Sequence, residues 1–238
     1  MKFLFLFFLL SLKQIVLSGN PTLIYLFPGQ GSDGRLFEKI KLDFNFQLLH
    51  VKFPVPKRGT TMTEYAREIS KQIDTTKSYI FIGVSLGGMI CCELADYMKP
   101  EKIIIISSAK CRSELPFRYR FQKTIPLNKI IPKRMIKAGA QILQPIVEPD
   151  RKKNKTVFKS MLKSKSPKYY KRTVNMVINW DRKNYKPSII SIHGTNDHTL
   201  PIKNINVNYT IDNGSHMMAL TLGEEINKLL LEILTGKK

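Results

Sequence analysis

Five short apolar runs, each bounded by turn residues, constrain the fold of this chain most. Their residues follow one another without a polar alternation, which is typical of parallel strands buried on both faces of a sheet. Segments with helical spacing separate them, at 63–73 and from Ser85 to Lys99, where Pro100 ends the pattern. Repeated strand and helix imply right-handed crossovers. We therefore predict an α/β fold with a doubly wound, mostly parallel sheet. The runs are TLIYLF (22–27), FQLLHVKF (46–53), YIFIGV (79–84), KIIIISS (102–108) and SIISIHG (188–194).

Beyond the fifth run, the pattern predicts one more strand at 204–212 and a closing amphipathic helix at 223–234. The alternation is interrupted between residues 111 and 186. Apolar residues there recur every three or four positions, which predicts helices inserted between two strands. We therefore divide the chain into a leader, a core in two parts and a helical insertion. The boundaries are 1–19 for the leader, 20–110 and 187–238 for the core, and 111–186 for the insertion.

The leader has the features of a secretory signal. Lys2 precedes an apolar stretch from Phe3 to Leu12, which is too short for a bilayer span of about 20 residues. A buried first strand is the alternative. The three cysteines include the neighbours Cys91 and Cys92; we expect no structural disulfide, which argues mildly against export. The prediction is a periplasmic or secreted protein if the leader is a signal peptide, and a cytoplasmic one otherwise.

A G-x-S-x-G pentapeptide spans Gly83 to Gly87, with an apolar run before it and a helical pattern after it. This is the context of a nucleophile elbow, in which a strained turn exposes a serine hydroxyl above the sheet. Glycines two residues to either side allow the strand and helix backbones to approach closely. Ser85 is therefore the predicted nucleophile. The helix N-terminus favours developing negative charge, and the Leu86 amide would point toward an oxyanion.

A serine nucleophile needs a base, and the chain has four histidines. His50 lies within a strand run, and His193 closes another, where a structural hydrogen bond is the expected role. His216 falls in the loop after the last strand, at the same end of the sheet as the elbow. It is the predicted base. His198 remains the competitor, although it directly follows the acid chosen next and could hardly turn back onto it.

That acid is Asp197, just past the strand run that ends at His193. The other place for an acid is past the preceding strand, but residues 103–111 contain no carboxylate. The predicted triad is therefore Ser85, Asp197 and His216, in that chain order.

Five stretches together resemble the α/β-hydrolase superfamily, in particular its short single-domain serine hydrolases with a helical lid. The resemblance covers residues 23–238 apart from the insertion. It implies that Ser85 attacks an acyl group, that His216 moves the proton and that Asp197 holds the imidazole. It also implies that Gln30 supplies a second oxyanion amide; Pro28-Gly29 stands where the family has His-Gly. The stretches are LIYLFPGQGSDGRLF, GVSLGGM, PEKIIIISS, HGTNDHTLP and NGSHMM.

The resemblance implies hydrolysis of a small-molecule carboxylic ester, thioester or amide, with no cofactor and no metal. Serine at the elbow argues against dehalogenase and epoxide hydrolase chemistry, which use aspartate. The glycine-rich stretch PGQGSDG at 28–34 lacks the G-K-[ST] ending of a phosphate loop, so it gives little support to a nucleotide site.

The insertion, which the resemblance identifies as the lid, is strongly basic. From Lys110 to Lys186 there are 22 Lys and Arg against 4 Asp and Glu, a net charge of +18 within the chain's +21. These cations favour an anionic ester as substrate. A second hypothesis is a catalytically weak hydrolase fold whose basic lid binds an anionic polymer or membrane surface; the plainer reading is a solvated helix face. We predict no specific nucleic acid partner, and the sequence makes no prediction of oligomeric state.

Overall fold

The computed structural model describes residues 21–43, 45–124, 131–139 and 154–236. Six strands form one sheet, in the order β2-β1-β3-β4-β5-β6, and every neighbouring pair is parallel. The predicted α/β class and doubly wound parallel sheet are confirmed. The predicted leader lies outside the described residues. The strands are β1 Thr22–Phe27, β2 Phe46–His50, β3 Tyr79–Val84, β4 Ile103–Ile106, β5 Ile189–Gly194 and β6 Tyr209–Ile211.

Two strands are shorter than the sequence predicts. The run at 46–53 is a strand only over Phe46–His50; the Val51 amide still donates to the Leu26 carbonyl at 3.0 Å, and its partner β1 ends at Phe27. The run at 204–212 pairs only at Tyr209–Ile211. Its first half is rich in asparagine, a poor strand former, and it begins with the 3₁₀ turn Ile202–Asn204.

Both faces of the four inner strands of the sheet are buried, and their side chains divide between the two faces. In β1, Tyr25 and Phe27 belong to one apolar cluster and Ile24 and Leu26 to the other. This division follows from the two-residue period of a strand. It explains why the strand runs are continuously apolar, because neither face is left to solvent.

Seven labelled helices surround the sheet or follow its strands in the described residues. Thr61 caps α1 in a capping box with Glu64, and Ser166 caps α5, with Pro167 in its first turn. No helix in the described ranges is both long and apolar enough to cross a bilayer. The helices are α1 Met62–Ser70, α2 Leu86–Leu94, α3 Phe117–Phe121, α4 Lys155–Ser164, α5 Pro167–Asn179, α6 Met218–Thr221 and α7 Gly223–Thr235.

The described part of the insertion, between β4 and β5, is helical. It contains α3, a helical stretch at 133–139, α4 and α5. Polar side chains anchor its end to α2. The Trp180 indole donates to Glu93 at 2.9 Å, and Arg182 donates to both carboxylate oxygens of Asp96 at 2.7 and 2.8 Å. Residues 125–130 and 140–153, which carry part of the predicted helices, lie outside the described residues.

Candidate active site

The turn between β3 and α2 holds Ser85 in a left-handed conformation, with φ 52° and ψ −118°. Such a backbone costs a non-glycine residue about 1–3 kcal/mol. Glycines on either side permit the turn. A Cβ added to Gly83 would lie 2.7 Å from the Gly87 backbone, and one added to Gly87 would lie 2.1 Å from the Phe27 carbonyl oxygen. The Ser108 hydroxyl donates to the Ser85 carbonyl at 2.7 Å, which adds support from β4.

A continuous hydrogen-bonded chain joins the three predicted triad residues. His216 Nε2 lies 2.8 Å from Ser85 Oγ, and His216 Nδ1 lies 2.8 Å from Asp197 Oδ2. An ionised carboxylate only accepts, so Nδ1 carries the ring proton and Nε2 is the acceptor for the serine hydroxyl. Ser85 therefore faces a base in the tautomer that general-base chemistry requires.

Asp197 is 3% exposed and is held by backbone as well as by His216. The amides of Thr199 and Leu200 both donate to Oδ1 at 2.8 Å. Burial by itself raises the pKa of this carboxyl. Attraction to His216 and hydrogen bonds from His193 and His216 outweigh burial, so the pKa of Asp197 lies well below its ordinary value. The acid is ionised and fixed in orientation.

The other three histidines occupy different positions. His198 is exposed, and its Nε2 lies 2.7 Å from Asn196 Oδ1; His216, rather than His198, stands against Ser85. His50 is exposed at the end of the edge strand β2. His193 is completely buried. Its Nε2 lies 2.7 Å from the Leu200 carbonyl oxygen and 3.2 Å from Asp197 Oδ2. The expected structural hydrogen bond is therefore present, and His193 also contacts the carboxylate of Asp197.

The two residues predicted to supply oxyanion amides, Gln30 and Leu86, both lie beside Ser85 in the structure. A Cβ added to Gly29 would be 3.3 Å from the Ser85 Cβ, so the loop that contains Gln30 packs directly against Ser85. Leu86 is the first residue of α2, one position after Ser85. Neither amide donates a hydrogen bond to any group in the part of the chain that the structure describes. Both are thus available to a ligand at the serine.

The insertion contacts the Gln30 loop directly. The Gln30 side chain donates from Nε2 to the Thr173 hydroxyl on α5 at 2.6 Å. Thr173 is completely buried, and its own hydroxyl donates to the Tyr169 carbonyl at 2.9 Å. The next residue, Gly31, has φ 81°, and a Cβ there would lie 2.7 Å from the Tyr170 hydroxyl. Helix α5 therefore packs against two consecutive residues of the loop, Gln30 and Gly31.

A second contact joins the insertion to the acid loop. Arg118 on α3 donates to the carbonyl oxygens of His198 and Thr199, the two residues after Asp197. The basic residues of the insertion therefore include at least one with a positioning contact beside the triad.

Sequence reasoning predicted three residues that the structure joins by hydrogen bonds, but it missed these supporting residues. Thr173 is 143 positions from Gln30, and Arg118 is 80 and 81 positions from the residues whose carbonyls it binds. Neither residue belongs to a sequence motif. The one signal available was for His193, whose position at the end of a strand run predicted a structural hydrogen bond. Within the described ranges, no group of three or more His, Cys, Asp or Glu side chains is arranged to hold a metal ion.

Comparisons with known proteins give matches only in structure. No protein-family model matches the chain, and no curated protein matches its sequence. The enol-lactonase from Burkholderia xenovorans LB400 aligns with TM-score 0.70 at 16% identity, over 91% of this chain and 92% of that one. A thermophilic esterase from Thermogutta terrifontis aligns with TM-score 0.68 at 13% identity, over 92% and 91%. An esterase from Exiguobacterium antarcticum aligns with TM-score 0.65 at 16% identity, over 91% and 93%. At these identities the matches identify a shared fold.

Proposed function

The chain has the α/β-hydrolase fold, and we propose that it is a serine hydrolase that cleaves small-molecule carboxylic esters through an acyl-enzyme intermediate. Thioesters and amides belong to the same chemistry. The observation that carries the proposal is the chain of two 2.8 Å contacts from Asp197 through His216 to a strained Ser85.

The first half-reaction forms the acyl-enzyme. Ser85 Oγ attacks the carbonyl carbon of the ester while its proton passes to His216 Nε2. The negative charge that develops on the carbonyl oxygen is stabilised by the amides of Leu86 and Gln30. Asp197 stabilises the imidazolium. The intermediate then collapses: the bond to the alkoxy oxygen breaks, and His216 returns the proton to the leaving alcohol.

The second half-reaction releases the acid. Water attacks the acyl carbon and gives a proton to His216, and the same two amides hold the oxyanion. Collapse breaks the bond to Ser85 Oγ, which recovers its proton from the imidazolium. The sum is ester plus water to carboxylic acid plus alcohol, with the protein unchanged.

The structural neighbours support an ester as the substrate class, since several are named as esterases and one as an enol-lactonase. In this proposal the basic insertion acts as the lid. We also propose that it favours anionic esters, because cations near a low-dielectric cleft raise the local concentration of anions. This preference is expected to decline as salt is added.

Active-site labelling tests the proposal. We expect a serine-reactive phosphonate to label the protein once, on Ser85. We also expect a panel of chromogenic esters to be hydrolysed at rates that depend on the length of the acyl chain. Each neutral ester is paired with a carboxylate-bearing isostere at low and high salt. Absence of both labelling and turnover across the panel would contradict the proposal. Equal rates for the isosteres at low salt would contradict only the preference for anions.

We propose membrane contact as a second candidate function, based on α3. Phe117 is 68% exposed and Phe121 is 41% exposed. Their rings are stacked, with 5.4 Å between the ring centroids. Arg118 and Arg120 lie between them in sequence. Exposed aromatic rings next to arginines suit an anionic bilayer surface. Co-sedimentation with anionic but not neutral vesicles, reduced by Phe117→Ser, is the expected result; equal sedimentation with both kinds of vesicle would contradict it.

Export is a further proposal and rests on the sequence of residues 1–19 alone. The expected result is that protein purified from its native cell begins near Gly19. A soluble cytoplasmic protein with an intact Met1 would contradict export.

A further inference from the structure

A second concave site lies between α5 and the loop that leads into α1. It is a cleft of about 820 Å³, within the volume range of small-molecule sites. Neither Ser85, Asp197 and His216 nor the predicted oxyanion residues Gln30 and Leu86 line it. Six cationic side chains do, from three separate segments of the chain: Lys57, Arg58, Lys133, Lys168, Lys171 and Arg172.

Among the described residues that line this cleft, cations outnumber carboxylates six to one. Among the described residues that line it, Asp181 is the one carboxylate. In the described part of the chain, no ion pair joins Lys57, Arg58, Lys168 or Arg172 to an acidic side chain. Cations that outnumber the nearby carboxylates repel one another, and a bound anion relieves that repulsion. The charge pattern therefore predicts an anionic ligand with more than one charge.

Arg172 gives the cleft a fixed donor. Its Nη1 donates to the Pro56 carbonyl at 2.6 Å, which ties α5 to the loop and restricts the guanidinium. A guanidinium has five N–H donors in a planar fork that matches phosphate oxygens. The bond to Pro56 uses one of them, so the other N–H groups of Arg172 can bind a phosphate group in the cleft that Arg58 also lines.

The apolar residues of the cleft limit the kind of anion. Met62, Met176 and Trp180 line it, but each is only 2–3% exposed. Trp180 therefore offers no open ring face on which a nucleic acid base could stack, and stacking is how single-stranded nucleic acids are usually held. A compact ligand whose binding energy comes from its charged groups suits this lining better.

We propose that this cleft binds a small ligand that carries two or three linked phosphate groups. The cations on α5 and on the loop contact the phosphates from opposite walls, and Arg172 fixes their position. The proposal is independent of ester hydrolysis, because it uses no residue of the triad or of the oxyanion amides.

Calorimetric titration with inorganic tripolyphosphate tests the proposal. Lys57, Arg58 and Lys168 are exposed, so the triple variant Lys57→Gln/Arg58→Gln/Lys168→Gln is expected to fold. A matched control, Lys71→Gln/Lys77→Gln/Lys99→Gln, removes three exposed cations outside the cleft. We expect one site in the wild type. The Kd should rise about tenfold or more in the cleft variant, since charge-assisted contacts are lost, and stay nearly unchanged in the control.

Further measurements decide between ligand classes. Orthophosphate should bind more weakly than tripolyphosphate, and tripolyphosphate should raise the Tm of the wild type and the control but not of the cleft variant. Binding to Ser85→Ala should equal binding to wild type. No saturable binding, or the same loss in both triple variants, would overturn the proposal. Tighter, cleft-dependent binding of a short single-stranded oligonucleotide would assign the cleft to nucleic acid and overturn it as well.

Discussion

The elbow region (79–98) and the insertion (111–186) contrast in almost every physical respect. The elbow region contains no Lys or Arg, and every residue of β3 and of α2 is buried. The insertion carries most of the net charge. It reaches the core through specific polar contacts, including Thr173 with Gln30 and Arg118 with the acid loop. One region holds Ser85 by close packing, and the other contacts the loops around Ser85 through single hydrogen bonds.

The contrast teaches that the two regions should respond differently to mutation. In the elbow region, backbone and side chains are fixed together, so a single added atom should disturb both stability and chemistry. In the insertion, loss of one polar contact should change the rate with little effect on the fold. Four predictions test this difference, from the largest expected effect to the smallest.

Removal of the nucleophile should separate chemistry from stability within the elbow itself. Ser85→Ala should lower kcat by at least about a thousandfold, because loss of a triad nucleophile removes covalent catalysis. Its Tm should not fall, since alanine at this turn deletes only the hydroxyl. Ser70→Ala, at the end of α1, is the matched control. Activity within tenfold of wild type would show that Ser85 is not the nucleophile.

Removal of the acid's charge should affect both the rate and the pH dependence of stability. Asp197→Asn should reduce kcat by about a thousandfold or more, because the amide no longer holds the Nδ1–H tautomer of His216. The pKa of Asp197 lies below the usual unfolded value of about 3.9. The carboxylate therefore stabilises the fold above about pH 4, and this stabilisation is lost as the pH falls toward the folded-state pKa.

Urea unfolding between neutral and acidic pH measures that difference. The midpoint of the wild type should fall more steeply below about pH 4 than that of Asp197→Asn, which has no carboxylate to protonate. Parallel pH profiles for the two proteins would contradict the lowered pKa. A rate close to wild type for Asp197→Asn would argue that another group orients His216.

Two glycine substitutions compare the packing of the regions directly. Gly87→Ala places a Cβ 2.1 Å from the Phe27 carbonyl, so the free energy of unfolding should fall by about 2–4 kcal/mol. Gly139→Ala lies in a helical stretch of the insertion and meets nothing within 4 Å; it should gain up to about 1 kcal/mol. Urea midpoints measure both. Equal changes in the free energy of unfolding for the two variants would contradict the proposed difference in packing between the two regions.

The smallest expected effect tests whether the insertion supports the chemistry. Thr173→Val removes the hydroxyl that accepts a hydrogen bond from the Gln30 side chain. The loop that carries the Gln30 backbone amide is then held less firmly, so kcat should fall about tenfold while KM changes little. Thr173→Ser keeps the hydroxyl and should retain most of the rate. Gln30→Ala should have a similar effect, and the double variant should add little, since the two residues act as one contact. Fully additive losses would contradict this coupling.

The sequence by itself determined the layered α/β fold, the elbow and the chain order of Ser85, Asp197 and His216. These features depend on local patterns: apolar runs with a period set by the strand, glycines around one serine, and polar residues just past strand ends. Parallel strands place their carboxyl ends at one edge, so local position was enough to predict that the three side chains meet.

Only the tertiary structure decided how the insertion meets the core. The contact of Thr173 with Gln30, the hold of Arg118 on the acid loop, and the convergence of cations beside Arg172 join segments far apart in sequence. Helical periodicity shows which residues share a face, but it does not show where that face docks. Docking depends on the shape and polar groups of both surfaces at once, and those exist only after the core has folded.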